Sequence, residues 1–236
     1  MVHSTFVHLR TCSGYSFKYG TATADQLVQR AAELGMHSLG LTDRDNMAGA
    51  IRFVQACESA SIKPILGINL SFIQRKYRIT LLATAGGGLS ALYQLLTAVN
   101  FAGGLLTHEL LQQNIQYSKK LLAIYGPDSQ IATAIGARQL TQGLSIFNSS
   151  KDYFAQQGIE VLSHRIRGDG PFSTPFAARM LKFARDNNLP AVITNSVRML
   201  DRSDGPLADV LDSARNLVPL HKRHVERQNS EAYLKD

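Results

Sequence analysis

The stretch DQLVQRAAELGMHSLGLT, residues 25–42, decides the fold. Its apolar positions Leu27, Val28, Ala31, Ala32 and Leu34 share one face of a helix over 25–34, Gly35 supplies the stop, and MHSLGLT reads as a short buried strand. The same beat runs outward in both directions. A strand over 5–9 precedes it, and a helix over 48–60, KPILGINL (63–70), YRITLLAT (77–84), a helix over 89–99, KLLAIY (120–125) and a helix over 130–139 follow. IEVLS (159–163), a helix over 175–187 and PAVIT (190–194) complete the series. Strand followed by helix, many times over, implies a parallel sheet. Continuous apolar runs such as 64–70 and 190–194 suggest burial on both faces, and about seven repeats with no Gly-x-Gly-x-x-Gly at the first helix favour an α/β barrel over a doubly wound sheet. Gly86-Gly87-Gly88 lacks the Lys-Ser/Thr of a phosphate loop and reads as a turn.

The chain of 236 residues is 44% apolar and only 18% charged, so it can bury a substantial core. Lys plus Arg number 25 against 18 Asp plus Glu, a formal charge of +7 that favours contact with anions such as nucleic acid. Cys12 and Cys57 have neither ligand nor redox spacing, and a reduced, cytoplasmic protein is expected. No signal-like N-terminus and no run of about 18 apolar residues occurs, so no membrane association is expected. After a helix over 207–216 the tail HKRHVERQNSEAYLKD (221–236) is polar and reads as a surface extension or the start of a linker; its Lys222, Arg223 and Arg227 form either a solvated face or a contact with DNA.

In a barrel of this kind the functional side chains gather where strands hand over to loops. His8 and Arg10 stand two apart on the first strand and point the same way; the second strand ends in Thr42-Asp43-Arg44-Asp45-Asn46, the third near Asn69, and the last in Thr194-Asn195-Ser196-Val197-Arg198. Asp43-Arg44-Asp45 precedes a helix, so capping and salt bridging are the plain reading of its two carboxylates. Cys12 has no neighbouring His as a base and reads as structural.

FVHLRTCSGYSF (6–17), the segment 25–57, IKPILGINL (62–70), RITLLA (78–83) and LPAVITNSVRMLDRSD (189–204), in that order, resemble the motifs of the polymerase and histidinol phosphatase (PHP) domain. The version most similar stands at the N-terminus of bacterial C-family DNA polymerases, the DNA polymerase III alpha subunits, and the wording of the tail 205–236 resembles the error-prone branch. The resemblance implies a distorted (β/α)7-type barrel over 1–200, with 201–236 as a helical and polar extension toward a polymerase body. Active members resemble a trinuclear metal phosphoesterase built on a His-x-His pair, a later Asp, a His after Thr-Asp, a Glu and an Asp-x-His. On this sequence His8 is kept, Arg10 replaces its partner, Tyr19 the Asp, Arg44 the His beside Asp43, Asn69 the Glu, and Ser196 and Arg198 the final pair. His108 and His164 are candidate remnants of intermediate ligands.

Metal hydrolases need neutral imidazoles and carboxylates, whereas arginine is always protonated, offers only donors and repels a metal. The expectation is therefore a degraded metal site with no cofactor, in which Arg10, Arg44 and Arg198 pair with Asp43 or Asp45, or else hold an anion such as phosphate. The implied function is a structural and interface module supporting DNA replication or translesion synthesis and repair. Its parent is a DNA-directed DNA polymerase, a nucleotidyltransferase, and this chain, ending before any polymerase palm, is expected to be inactive alone. The implied partners are the polymerase body, DNA indirectly, and a proofreading or replisome subunit. The alternative is a phosphoesterase or proofreading exonuclease on DNA ends with divalent Zn, Mn or Mg; a phosphatase of a small metabolite such as histidinol phosphate would need the same ligands.

Overall fold

The computed structural model describes residues 6–73, 76–221 and 228–236, so Thr5 at the expected start of the first strand and Lys222, Arg223 and Arg227 of the tail lie outside the described residues. The elements in chain order are α1 (Ala24–Glu33), β1 (Ser38–Leu41), α2 (Ala50–Ser59), β2 (Lys63–Phe72), β3 (Tyr77–Ala83), α3 (Gly88–Phe101), α4 (His108–Gln113) and α5 (Ile115–Ser118). They continue with β4 (Leu121–Tyr125), α6 (Gln130–Gly136), α7 (Leu140–Ser149), β5 (Gln156–Val161), α8 (Thr174–Asp186), β6 (Ala191–Ile193), a 3-10 turn (Arg202–Asp204) and α9 (Gly205–Asn216). The chain folds as two compact units, residues 1–65 with 195–236, and residues 66–194.

In the first unit, α1 begins in a capping box in which Thr23 accepts from the Gln26 amide and the Gln26 side chain accepts from the Thr23 amide. It buries Leu27, Val28 and Ala31, the face its spacing announces. The segment expected as a first strand is irregular over 6–10, yet it is bonded on two sides. The Gly40 and Thr42 amides donate to the carbonyls of His8 and Thr11 at 2.7 and 2.8 Å, and the Val197 amide donates to the Arg10 carbonyl at 2.9 Å. Residues 228–236 also belong here: Leu234 and Ala232 are buried, and the Arg198 and Met199 amides donate to the Ala232 carbonyl.

The second unit holds most of β2 and the strands β3 to β6, paired in sequence order. The parallel sheet expected from the strand and helix beat is corrected to a mixed one. β2 and β3 run antiparallel, with Asn69 opposite Thr80, as do β3 and β4, while β4, β5 and β6 run parallel. The reason is the short connection between Phe72 and Tyr77, since a parallel crossover needs a dozen or more residues. Residues 67–72 are buried at every position, which is why KPILGINL does not alternate. A helix absent from the sequence reading, α7, packs Phe147 into this core and carries Gly143 against the Phe183 ring.

Candidate functional site

His8, at the centre of the inferred metal site, is buried, and its Nε2 lies 2.9 Å from the Lys235 carbonyl, 227 residues away in sequence. Its Nδ1 is buried with no partner among the described residues, and the Phe6 ring stands edge-on at 4.8 Å. Burial lowers the pKa of the imidazole below 6.5; the hydrogen bond to the Lys235 carbonyl opposes this and the Lys235 charge reinforces it. The folded chain therefore binds fewer protons here than the unfolded one, and stability rises with pH up to about 6.5, the ordinary His value. Urea denaturation at about pH 7.5 and about pH 5.5 is expected to give a smaller loss on acidification for His8→Gln than for the wild type. Equal losses would mean that the buried imidazole carries no pH dependence.

Asp43 is 1% exposed, and no guanidinium lies within ion-pair distance of it among the described residues. Its oxygens accept instead from the Ser13 amide (2.6 Å), the Ser13 hydroxyl (2.8 Å) and the Ser16 hydroxyl (2.7 Å). Burial raises its pKa and these bonds act against the rise. The expected pairing of arginine with Asp43 is thus corrected: the loop 13–16 supplies enough short donors to satisfy the carboxylate, and no cation is needed. The expected cap is displaced too, because Asn46 Oδ1, not Asp43 or Asp45, accepts from the Ala48 amide ahead of α2. Asp45 has left-handed backbone (φ 57°). Cys12 is buried and donates to the Thr42 carbonyl at 3.5 Å; burial and then the Asp43 charge push its thiol pKa up, so it is protonated and structural.

The carboxylate that Arg198 finds is Asp212 of α9, fully buried. Arg198 Nη1 and Nη2 donate to its two oxygens at 3.1 and 2.9 Å, and Arg215 Nη2 donates to Oδ1 at 2.6 Å. Burial pushes the Asp212 pKa up, but the hydrogen bonds and charges of Arg198 and Arg215 outweigh it and hold the group below its ordinary value. Arg198 Nε and Nη2 also donate to the Tyr19 carbonyl, and Arg215 Nη1 to the Lys18 carbonyl. The Tyr19 ring gathers the guanidinium carbons of Arg44, Arg198 and Arg215 at 3.3, 4.0 and 5.3 Å from its centroid. Two of the inferred ligand replacements, Tyr19 and Arg198, therefore hold one another, and Arg44 packs on the same ring.

The remaining positions are more dispersed. Arg10 is 3% exposed. Ser196 is buried with left-handed backbone (φ 49°), between Asn195, whose Nδ2 donates to the Glu231 and Tyr233 carbonyls, and Val197, which bridges to Thr11. Lys235 Nζ donates to Asn195 Oδ1 (3.3 Å) and Glu231 Oε2 (2.9 Å). Asn69 belongs to the second unit, where its Nδ2 donates to Thr80 Oγ1 at 2.9 Å and its Oδ1 accepts from Arg78 Nε. His108 lies against Phe72 and Tyr153, and His164 stacks on Phe172 at 5.2 Å, so both candidate remnants are held by aromatic neighbours. Sequence reasoning missed Asp212, Arg215 and Lys235. The spacing of Asp212 and Arg215, one turn apart on a helix, was the available signal for the first two.

The family profile for the PHP domain matches residues 8–164. The chain belongs to the PHP domain family. Its relatives include the error-prone DNA polymerase of Symbiobacterium thermophilum, 30% identical over 251 residues, covering 98% of this chain and 23% of that protein. The DNA polymerase III subunit alpha of Bacillus subtilis is 30% identical over 218 residues, covering 85% of this chain and 18% of that one. The PHP chain thus spans about a fifth of the length of the curated relatives it matches. Among solved structures, a two-domain Bacteroides vulgatus protein containing a predicted PHP-like metal-dependent phosphoesterase matches with TM-score 0.52 and 10% identity, over 82% of this chain and 52% of that one. The resemblance to the PHP domains of bacterial C-family polymerases is borne out, and the α/β fold is of the distorted PHP barrel class.

The side chains present do not fit a PHP metal cluster. Of the positions His8, Arg10, Tyr19, Arg44, Asn69, Ser196 and Arg198, only His8 offers a metal donor of the required type, while Arg10, Arg44 and Arg198 bring positive charge, and His108 and His164 lie against aromatic rings. Among the described residues no group of three or more His, Cys, Asp or Glu is arranged to hold an ion. Among the described residues, no helix is long and apolar enough to cross a membrane.

Proposed function

We propose that this PHP domain is a structural and interface module of a C-family DNA polymerase alpha chain, acting in DNA replication or damage-tolerant synthesis in the cytoplasm and working without a metal. The observation that carries the reading is the Asp212, Arg198 and Tyr19 cluster, in which arginine and tyrosine at inferred ligand positions make cohesive contacts. It does by ion pairing and stacking what bound cations do by ligation, linking loop 17–20 to residues 195–216. The relatives' names support the polymerase body as the partner in the same chain, with DNA met indirectly and a proofreading or replisome subunit as a further partner. Arg44 is the arginine best suited to an oxyanion, because its guanidinium makes no hydrogen bond or ion pair to a described residue, whereas Arg198 and Arg215 are committed to Asp212.

Metal analysis of the purified protein, with thermal unfolding before and after a strong chelator, tests this reading. Substoichiometric metal and an unchanged Tm are expected. Stoichiometric divalent metal, with metal-dependent release of nucleotides from a DNA primer that is lost in His8→Ala, would instead establish a phosphoesterase or exonuclease.

A further inference from the structure

In the second unit, a half-open cleft lies between the α6–α7 turn and the C-terminal half of α8, independent of the arginine and tyrosine cluster. Its volume is about 320 Å³, at the lower end of the range in which proteins hold small ligands or anchor side chains. Ile135 and Phe183 form a buried apolar floor, and Leu140 stands at the lip, 49% exposed. Three cations line the opening, Arg138, Arg179 and Lys182, against two carboxylates, Asp186, held by Lys182 Nζ at 2.8 Å, and Asp169, 3.6 Å from Arg179 Nη1, which leaves the charge of Arg138 unmatched among the described residues.

Two of these cations are incompletely used. Arg138 follows α6 in left-handed backbone (φ 59°) and is exposed, with no ion pair to a described residue. Arg179 reaches Asp169 with its terminal nitrogens, but its Nε–H is buried and has no acceptor among the described residues. A buried donor without an acceptor is costly, so an acceptor that reaches it is rewarded beyond its own hydrogen bond.

We propose that this cleft docks an acidic peptide segment, inserting one large apolar side chain over Ile135, Leu140 and Phe183 while flanking carboxylates meet Arg138 and Arg179. Apolar area supplies the affinity and the unmatched positive charge supplies the sign of the partner. A half-open cleft between helices, with an exposed leucine at its lip, suits a side chain carried on a backbone better than a fully enclosed small molecule.

The test uses the whole chain and a defined probe, a fluorescein-labelled Asp-Asp-Leu-Phe-Asp-Asp peptide, followed by fluorescence anisotropy and by amide chemical shifts. Binding is expected to weaken at least about tenfold in Arg138→Glu and in Leu140→Asp, both exposed positions whose folding is checked by circular dichroism. It should be unchanged in Lys63→Ala, an exposed cation that is not part of the cleft, and the shifts should centre on Ile135, Arg138, Leu140 and Phe183. Equal binding of a Lys-Lys-Leu-Phe-Lys-Lys control, equal binding by Arg138→Glu, or shifts centred elsewhere would each overturn the proposal. So would displacement of the peptide by a fatty acid that binds the cleft more tightly than any acidic peptide, which would make it a small-molecule site.

Discussion

Replacing Asp212 by asparagine is expected to lower folding stability by about 3–5 kcal/mol, because it strands the buried Arg198 guanidinium without its counter-charge. For a chain of this size the Tm should fall by about 10 °C. The pH dependence has a definite sign. Asp212 titrates below 3.8 in the folded chain, so its contribution is complete above the unfolded value and is lost as pH falls toward the folded one. Asp212→Asn should therefore show a shallower loss of stability than the wild type in that acid window, having already lost the contribution at neutral pH. The paired change Arg198→Met with Asp212→Leu should recover most of the stability, since a buried ion pair replaced by apolar groups is often neutral or better. Chemical denaturation of the wild type and the two variants decides the matter. If Asp212→Asn costs under about 1 kcal/mol, the pair behaves like an exposed salt bridge and the cluster is not what holds this unit together.

Gly20→Ala is expected to cost about 3 kcal/mol, the upper part of the range for overpacking. A Cβ at Gly20 would stand 2.1 Å from the Ser13 carbonyl oxygen and 2.4 Å from its carbon, both backbone atoms that no rotamer change can move aside. Displacing Ser13 also disturbs the amide and hydroxyl that satisfy buried Asp43. Gly170→Ala is the matched control: a Cβ there meets nothing within 4 Å, and stability should change by less than about 0.5 kcal/mol. Differential scanning calorimetry of the two variants separates this steric account from a general intolerance of glycine replacement, which would destabilise both alike.

Much of the fold was legible because it is written in local periodicities. The face of α1, its Gly35 stop and the buried run of β2 follow from spacing and composition alone. The antiparallel pairing of β2 with β3 was legible as well, in the four residues between Phe72 and Tyr77, but the alternating beat of strand and helix obscured it. In the candidate site the inability of Arg10, Arg44 and Arg198 to ligate a metal was also plain, because ligand chemistry is a property of residue type.

The sequence by itself determined the PHP motifs, most of the element types and the cationic, donor-only chemistry of Arg10, Arg44 and Arg198. Tertiary structure alone decided which partners those arginines take. Arg198 meets Asp212, 14 residues on, and the carbonyl of Tyr19, 179 residues back, while His8 meets a carbonyl 227 residues away. Asp43, the nearest carboxylate in the motif, is satisfied by serines of a neighbouring loop. The physical reason is that helix and strand propensities act within a few residues, whereas a buried charge takes whichever counter-group packing brings to it, at any separation along the chain.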